Sequence, residues 1–137
     1  MNLDPNAFVA APELIQALDE QAAPIACAEE RLLFRQGDPP DGLYILKEGT
    51  ASLQMTAPDG HSIVSVEVAA GSLLGLPAVV GNTPYTLTAI AHPGTRLGYI
   101  SRAHFTTLMQ TQPMLSLKIL QVLAAEVSSA RRALVEM

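Results

Sequence analysis

Asp41-Gly42-Leu43-Tyr44-Ile45-Leu46-Lys47-Glu48-Gly49 is the stretch on which the fold turns. Leu43, Tyr44, Ile45 and Leu46 favour extended backbone, and a glycine stands at each side, so the stretch is predicted to be one short strand between chain reversals. The pattern continues outward in both directions. Gly37, Gly49, Gly60 and Gly71 recur every eleven or twelve residues, with β-type stretches between them. Pro40-Asp41-Gly42 has a near-copy in Pro58-Asp59-Gly60, and in both Pro presets φ ahead of a residue that tolerates φ > 0, the chemistry of a turn. The second copy lies between alternating residues 51–55 and 62–66, which predicts a hairpin. Residues 32–34, 86–90 and 96–100 supply further strands. Short strands at this spacing predict a sandwich or a roll.

Helices are predicted at both ends. Residues 12–18 begin with Pro12 and Glu13, both favoured in a first turn. Ser101 is placed to cap a short helix carrying His104, Phe105, Leu108 and Met109. After a Thr111-Gln112-Pro113 break, a long helix runs to about Arg132 or beyond. Its Leu117, Leu120, Leu123, Val127, Ala130 and Leu134 fall at helical spacing. Ile119, Val122, Ala124 and Ala125 widen the stripe beyond one packing face, and Lys118 and Glu126 interrupt it. Such a helix is either buried on two sides of its own domain, or docked on one side and paired with a second subunit on the other. A terminal helix has little of its own domain to cover both faces, so a homodimer through Ile119, Val122, Leu123, Val127, Ala130 and Leu134 is expected. The 137 residues are expected to form one domain: a helical segment over about 1–22, the β portion over 24–101 and helices over 102–137.

Composition excludes several classes of function. Hydrophobic residues make up 49% and charged residues 15%, which argues against disorder. The formal charge of -5 repels phosphate backbones, so no nucleic-acid binding by this chain is expected. Cys27 stands alone, which excludes an internal disulfide and a thiolate zinc cluster. The first residues lack a basic segment leading into an apolar one, and no apolar run approaches the roughly 18 residues of a membrane helix. A cytoplasmic protein without membrane attachment is expected. His61, His92 and His104 lack the spacing of a metal site. No Ser/His/Asp order, Gly-x-Ser-x-Gly elbow or partnered carboxylate pair is present, so neither an enzyme nor a metal site is expected.

In order and spacing, these pieces resemble the cyclic-nucleotide-binding domain of the catabolite-activator (CRP/FNR-like) family. Leu33-Phe34-Arg35-Gln36-Gly37-Asp38 resembles its second strand and turn, residues 41–49 its strand-and-glycine signature, and Gly71-Ser72-Leu73-Leu74-Gly75 the approach to its phosphate-binding cassette. The resemblance implies a mainly β fold with flanking helices: a double-stranded β-helix, or jelly-roll-like β-roll, closed by a long C-terminal helix. It also implies a ligand site at Gly71, Gly75, Leu76, Pro77, Ala78, Tyr85, Thr86 and Leu87. There the family sets a Glu after the glycine for the ribose and an Arg for the phosphate. In this sequence Leu76 occupies the Glu position, and Tyr85 stands at or next to the Arg position, followed by Thr86. Residues 68–95 contain no Asp, Glu, Lys or Arg. Charge-assisted hydrogen bonds contribute about 1.5–3 kcal/mol each, so tight cyclic AMP binding in the usual mode is disfavoured, although cyclic nucleotide is the family's ligand.

Three functions follow from this reading. The first is a regulatory module for another small ligand or a protein partner, in which occupancy repositions the closing helix. The second is a structural dimerisation or partner-binding domain with Leu76, Val79, Val80 and Leu87 filling the pocket. The third is weak nucleotide binding through Thr86 and backbone N–H groups at the start of a short helix after Gly75. Some relatives bind haem, for which His92, nearest the cassette along the chain, is the candidate ligand. Cys27 is expected to be a small buried hydrophobe. Transcription factors of the family continue past the long helix into a helix-turn-helix, whereas this sequence ends at Met137.

Overall fold

The structure, a computed structural model, describes residues 2–136. The quoted stretch is a strand, β3 (Gly42–Glu48), and it runs through the middle of the fold. It belongs to an antiparallel sheet of order β1-β8-β3-β6, formed with β1 (Ala23–Ala26), β6 (Leu73–Leu74) and β8 (Arg96–Ser101). The second sheet has the order β2-β7-β4-β5, from β2 (Arg31–Phe34), β4 (Thr50–Thr56), β5 (Ser62–Ala69) and β7 (Thr88–Ala91). Two antiparallel sheets face each other as a roll. Leu46, Leu53, Val66, Val68, Ala89 and Leu97 are among the buried residues of the inner core.

The two Pro-Asp-Gly copies have different structures. Gly60 has φ +86° in the β4–β5 hairpin, where Asp59 Oδ1 accepts the His61 N–H at 2.9 Å. Gly42 has no positive φ and opens β3 instead of turning. It must be glycine for space, because a Cβ there would lie 2.5 Å from the Ile100 carbonyl oxygen on β8. Strand β7 starts at Thr88, two residues later than predicted, which frees Thr86 and Leu87 for a cavity wall. Two strands carried no usable sequence signal: β6 has only two residues, and β1 contains Pro24 at a sheet edge, where Pro is tolerated.

A second core lies outside the β3 sheet, under the helices. Helix α1 (Pro12–Asp19) contributes Leu14 and Leu18. Helix α2 (Leu76–Gly81) contributes Leu76 and Val79. Helix α3 (Arg102–Thr111) contributes Phe105 and Leu108, and Ser101 Oγ caps it by accepting the His104 N–H at 3.2 Å. Helix α4 (Pro113–Val135) buries Leu115, Ile119, Val122, Ser129 and Ala133 along one stripe. Ile119 and Val122, expected on a subunit-pairing face, are therefore in this chain's own core; their i, i+3 spacing matches the stripe that docks. Leu123 and Ala130 are half-buried, and Val127 and Leu134 are exposed. A short 3-10 turn, Pro5–Phe8, leans on α4, with the Asp4 N–H donating to Ser129 Oγ at 2.8 Å. No described helix is long and apolar enough to cross a membrane.

Candidate ligand cavity

The cavity forms where β6 enters α2 through Gly75. Gly75 has φ +90°, and a Cβ there would lie 2.9 Å from the Tyr85 ring. Pro77 starts α2 with its φ preset. The helix is only six residues long, and its faces divide its residues between the two cores: Ala78 inward, Leu76 and Val79 outward.

Tyr85 closes the floor. Its backbone N–H donates to Asp38 O at 3.0 Å, and its carbonyl accepts the Gly37 N–H at 2.8 Å. Its ring stacks on Phe34 at 4.0 Å with planes 13° apart. Its hydroxyl donates to Asp41 Oδ1 at 2.7 Å, lies against the Gly42 carbonyl, and accepts the Gly42 N–H at 3.1 Å. Burial pushes the phenol pKa up, the Gly42 backbone bond pulls it down, and Asp41 adds to the rise. The position expected to hold a cation therefore holds a neutral ring whose hydroxyl is already engaged.

The space left is small. A cavity of about 30 Å³ lies among Phe8, Phe34, Pro77, Tyr85, Thr86 and Glu126, room for one or two waters. A hollow of about 140 Å³ adjoins it, sharing Phe8, Thr86, Leu87 and Glu126 as walls and reaching Met55, Val64 and Ser129. Ligand pockets ordinarily measure roughly 300–1,000 Å³. Glu126 enters from α4, and its Oε2 has no exposed surface and no hydrogen-bond partner. Burial raises its carboxyl pKa to about 8. In the sequence Glu126 is an interruption of an apolar stripe; the signal that would have placed it here is its spacing from Val122 and Ser129 on the buried face.

Of the expected site residues, Gly75, Pro77, Ala78, Tyr85, Thr86 and Leu87 meet at this cavity. Gly71 and Leu76 do not line it. Gly71 turns the chain, donating its N–H to Leu46 O at 2.8 Å and accepting from Ala10 N–H at 2.9 Å. Leu76 is fully buried in the outer core, because the first turn of α2 points it away from the roll interior. His92 is held elsewhere: its Nε2 lies 2.8 Å from Glu67 Oε2 and 3.1 Å from Ser52 Oγ. Cys27 is buried and free. Among the described residues no three His, Cys, Asp or Glu side chains come together as a metal site.

Comparison with known proteins agrees with this fold. A sequence model described as cyclic nucleotide-binding domain matches residues 24–112. The CRP-like cAMP-activated global transcriptional regulator of Mycobacterium tuberculosis is 26% identical over 82% of this chain and 50% of its own length. Lysophospholipase nte1 of Neurospora crassa is 28% identical over 83% of this chain, which is 8% of the fungal protein. The chain thus spans about half the length of the bacterial regulator and a small part of the fungal protein. Among solved structures, the catabolite activator protein of Thermus thermophilus superposes with a TM-score of 0.78 at 21% identity, covering 96% of this chain and 62% of that one. Its jelly-roll architecture and long helix are those described above. The chain belongs to the cyclic nucleotide-binding domain family.

Proposed function

We propose that this domain is a non-catalytic, cytoplasmic regulatory module that senses a small ligand other than a strongly anionic nucleotide, and that tight cyclic AMP binding in the family's usual mode is lost. The observation that carries this reading is the lack of a cation among the described residues that line the cavity. The ionisable side chains lining the two spaces are Tyr85 and Glu126. A cyclic phosphate would meet a carboxyl group and no Lys, Arg or His among the described lining residues. Losing two charge-assisted bonds at about 1.5–3 kcal/mol each weakens binding by roughly two to four powers of ten. Glu126 belongs to α4, so an occupant that bonds to it biases the position of that helix.

Thermal melting tests this reading. A ligand present at about a thousand times its Kd stabilises a protein by about 4.1 kcal/mol, equivalent to a shift above roughly 10 °C for a domain of this size. In millimolar cyclic AMP the expected shift is below about 5 °C, and a shift above about 10 °C contradicts the proposal. The small cavity favours one further reading, a dimerisation module whose pocket is filled by its own side chains. In that case no small ligand shifts the melt at all.

A second copy of this chain is the proposed partner. Opposite its buried stripe, α4 exposes Leu117, Leu120, Val127 and Leu134; Leu117, Leu120, Ala124 and Val127 alternate at three- and four-residue spacing, the seam of a two-stranded coiled coil, with Arg131 at the next seam position before Leu134. Two-fold pairs are the commonest oligomers. Val127→Glu sets two carboxylates facing across such a seam and is expected to convert a dimer to monomer in light scattering. A wild-type chain that is monomeric at high concentration contradicts the pairing.

A further inference from the structure

We infer that the cavity behind Tyr85 takes a single-ring organic molecule bearing a cationic amine or amidine, with Glu126 as the group that grips it. This deepens the sensing function proposed above and rests on it. Three observations converge. Glu126 Oε2 is buried without a partner, and buried polar atoms in folded proteins are nearly always bonded, so the carboxyl group has an unfilled hydrogen-bonding position that an occupant can fill. The same side chain is a wall of both spaces, the inner cavity of about 30 Å³ and the adjoining hollow of about 140 Å³. An apolar cavity of about 150 Å³ holds one benzene ring, so this volume suits one ring and is small for a nucleotide. The walls suit a ring as well, with Phe8, Met55, Val64 and Leu87 around the hollow and Thr86 and Ser129 as its hydroxyls.

The charge of the occupant follows from what faces Glu126. The other ionisable wall residue is Tyr85, on the segment before β7, whose hydroxyl is held by Asp41 and Gly42. From the strands come Phe34, Leu53, Met55, Val64 and Leu74, and from α2 Pro77 and Ala78, none of them charged. Asp4, Arg132 and Glu136 line a separate hollow beyond Ser129, and Asp4 and Arg132 approach each other at 4.0 Å. With no cation at hand, burial holds the Glu126 carboxyl protonated near neutrality. A bound amidinium supplies the missing charge: the carboxyl gives its proton to solvent and accepts the amidinium N–H bonds. Binding therefore strengthens as pH rises towards 8, the value to which burial raises this group.

Calorimetry of the full chain with benzamidine, benzoate and benzyl alcohol at pH 6 and pH 8 tests the inference. Benzamidine is expected to bind at pH 8 at least about tenfold tighter than benzoate, and roughly fiftyfold weaker at pH 6 than at pH 8. Glu126→Gln is expected to abolish both differences. That variant is expected to fold: a raised carboxyl pKa contributes stability below the ordinary carboxylate range that is lost as pH climbs towards 8. Glu126→Gln should therefore melt above wild type at pH 8 and level with it at pH 4. Equal binding of benzoate or benzyl alcohol, or benzamidine binding that survives Glu126→Gln, overturns the inference and leaves the sensing function standing. Micromolar cyclic AMP binding without any ring probe binding overturns both.

Discussion

Leu76→Glu, which writes the family's ribose-binding residue into the position the resemblance gives it, is expected to destabilise the domain by about 3–5 kcal/mol and to leave nucleotide affinity unchanged. Leu76 is fully buried and shares the outer core with Leu14, Leu18, Leu43 and Ile45. The substitution removes a packed aliphatic side chain and puts an unpaired carboxylate among aliphatic ones, two separately destabilising changes. Urea denaturation reads the result as a fall in midpoint. A variant as stable as wild type that gained cyclic AMP affinity would mean that position 76 faces the ligand site, contrary to the structure.

Gly49→Ala is the second large effect, expected at about 2–5 kcal/mol. Gly49 closes β3 at φ +90°, where a Cβ would lie 2.6 Å from Thr95 Oγ1 and 2.9 Å from Thr95 Cα. Thr95 cannot yield easily. It is fully buried, and its hydroxyl donates to Thr50 O at 2.9 Å and accepts the Thr50 N–H at 3.3 Å. Backbone strain at a positive φ contributes about 1–3 kcal/mol, and overpacking adds a comparable amount. Gly60→Ala is the control, since Gly60 has φ +86° with nothing within 4 Å of its would-be Cβ. Gly49→Ala should exceed it by at least about 1 kcal/mol in parallel urea titrations; equal losses would mean that the Thr95 contact is immaterial.

These two positions mark how far the sequence could be read. The glycine period and the alternating residues 51–55 and 62–66 place the roll and its hairpin, because turn chemistry and side-chain alternation are local properties that sequence displays directly. Ser101, Pro113 and Pro12 likewise bound the helices they were expected to bound. What sequence did not display is which way a side chain faces once two cores compete for it. Leu76 and Ala78 sit two residues apart on one short helix, yet they serve the outer and inner cores. Ile119 and Val122 lie on the docked stripe of α4, whereas Val127 lies on its exposed face. Glu126 is the clearest case: in the sequence it is a polar break in an apolar stripe, and only the packing of α4 against the roll makes it a cavity wall. Tyr85 was legible as standing where the resemblance expects a cation but not as the cavity floor, since its bonds to Asp41 and Gly42 span more than forty residues of chain.

The retention of the roll and the proposed loss of its charged grip on a nucleotide are separable, and one measurement addresses the second directly. Isothermal calorimetry of the chain with cyclic AMP and cyclic GMP at neutral pH should give a Kd weaker than about 0.1 mM for both, the consequence of an uncharged, engaged Tyr85 facing Glu126 across a cavity of about 30 Å³. Saturable binding of either nucleotide at micromolar concentration would contradict that account.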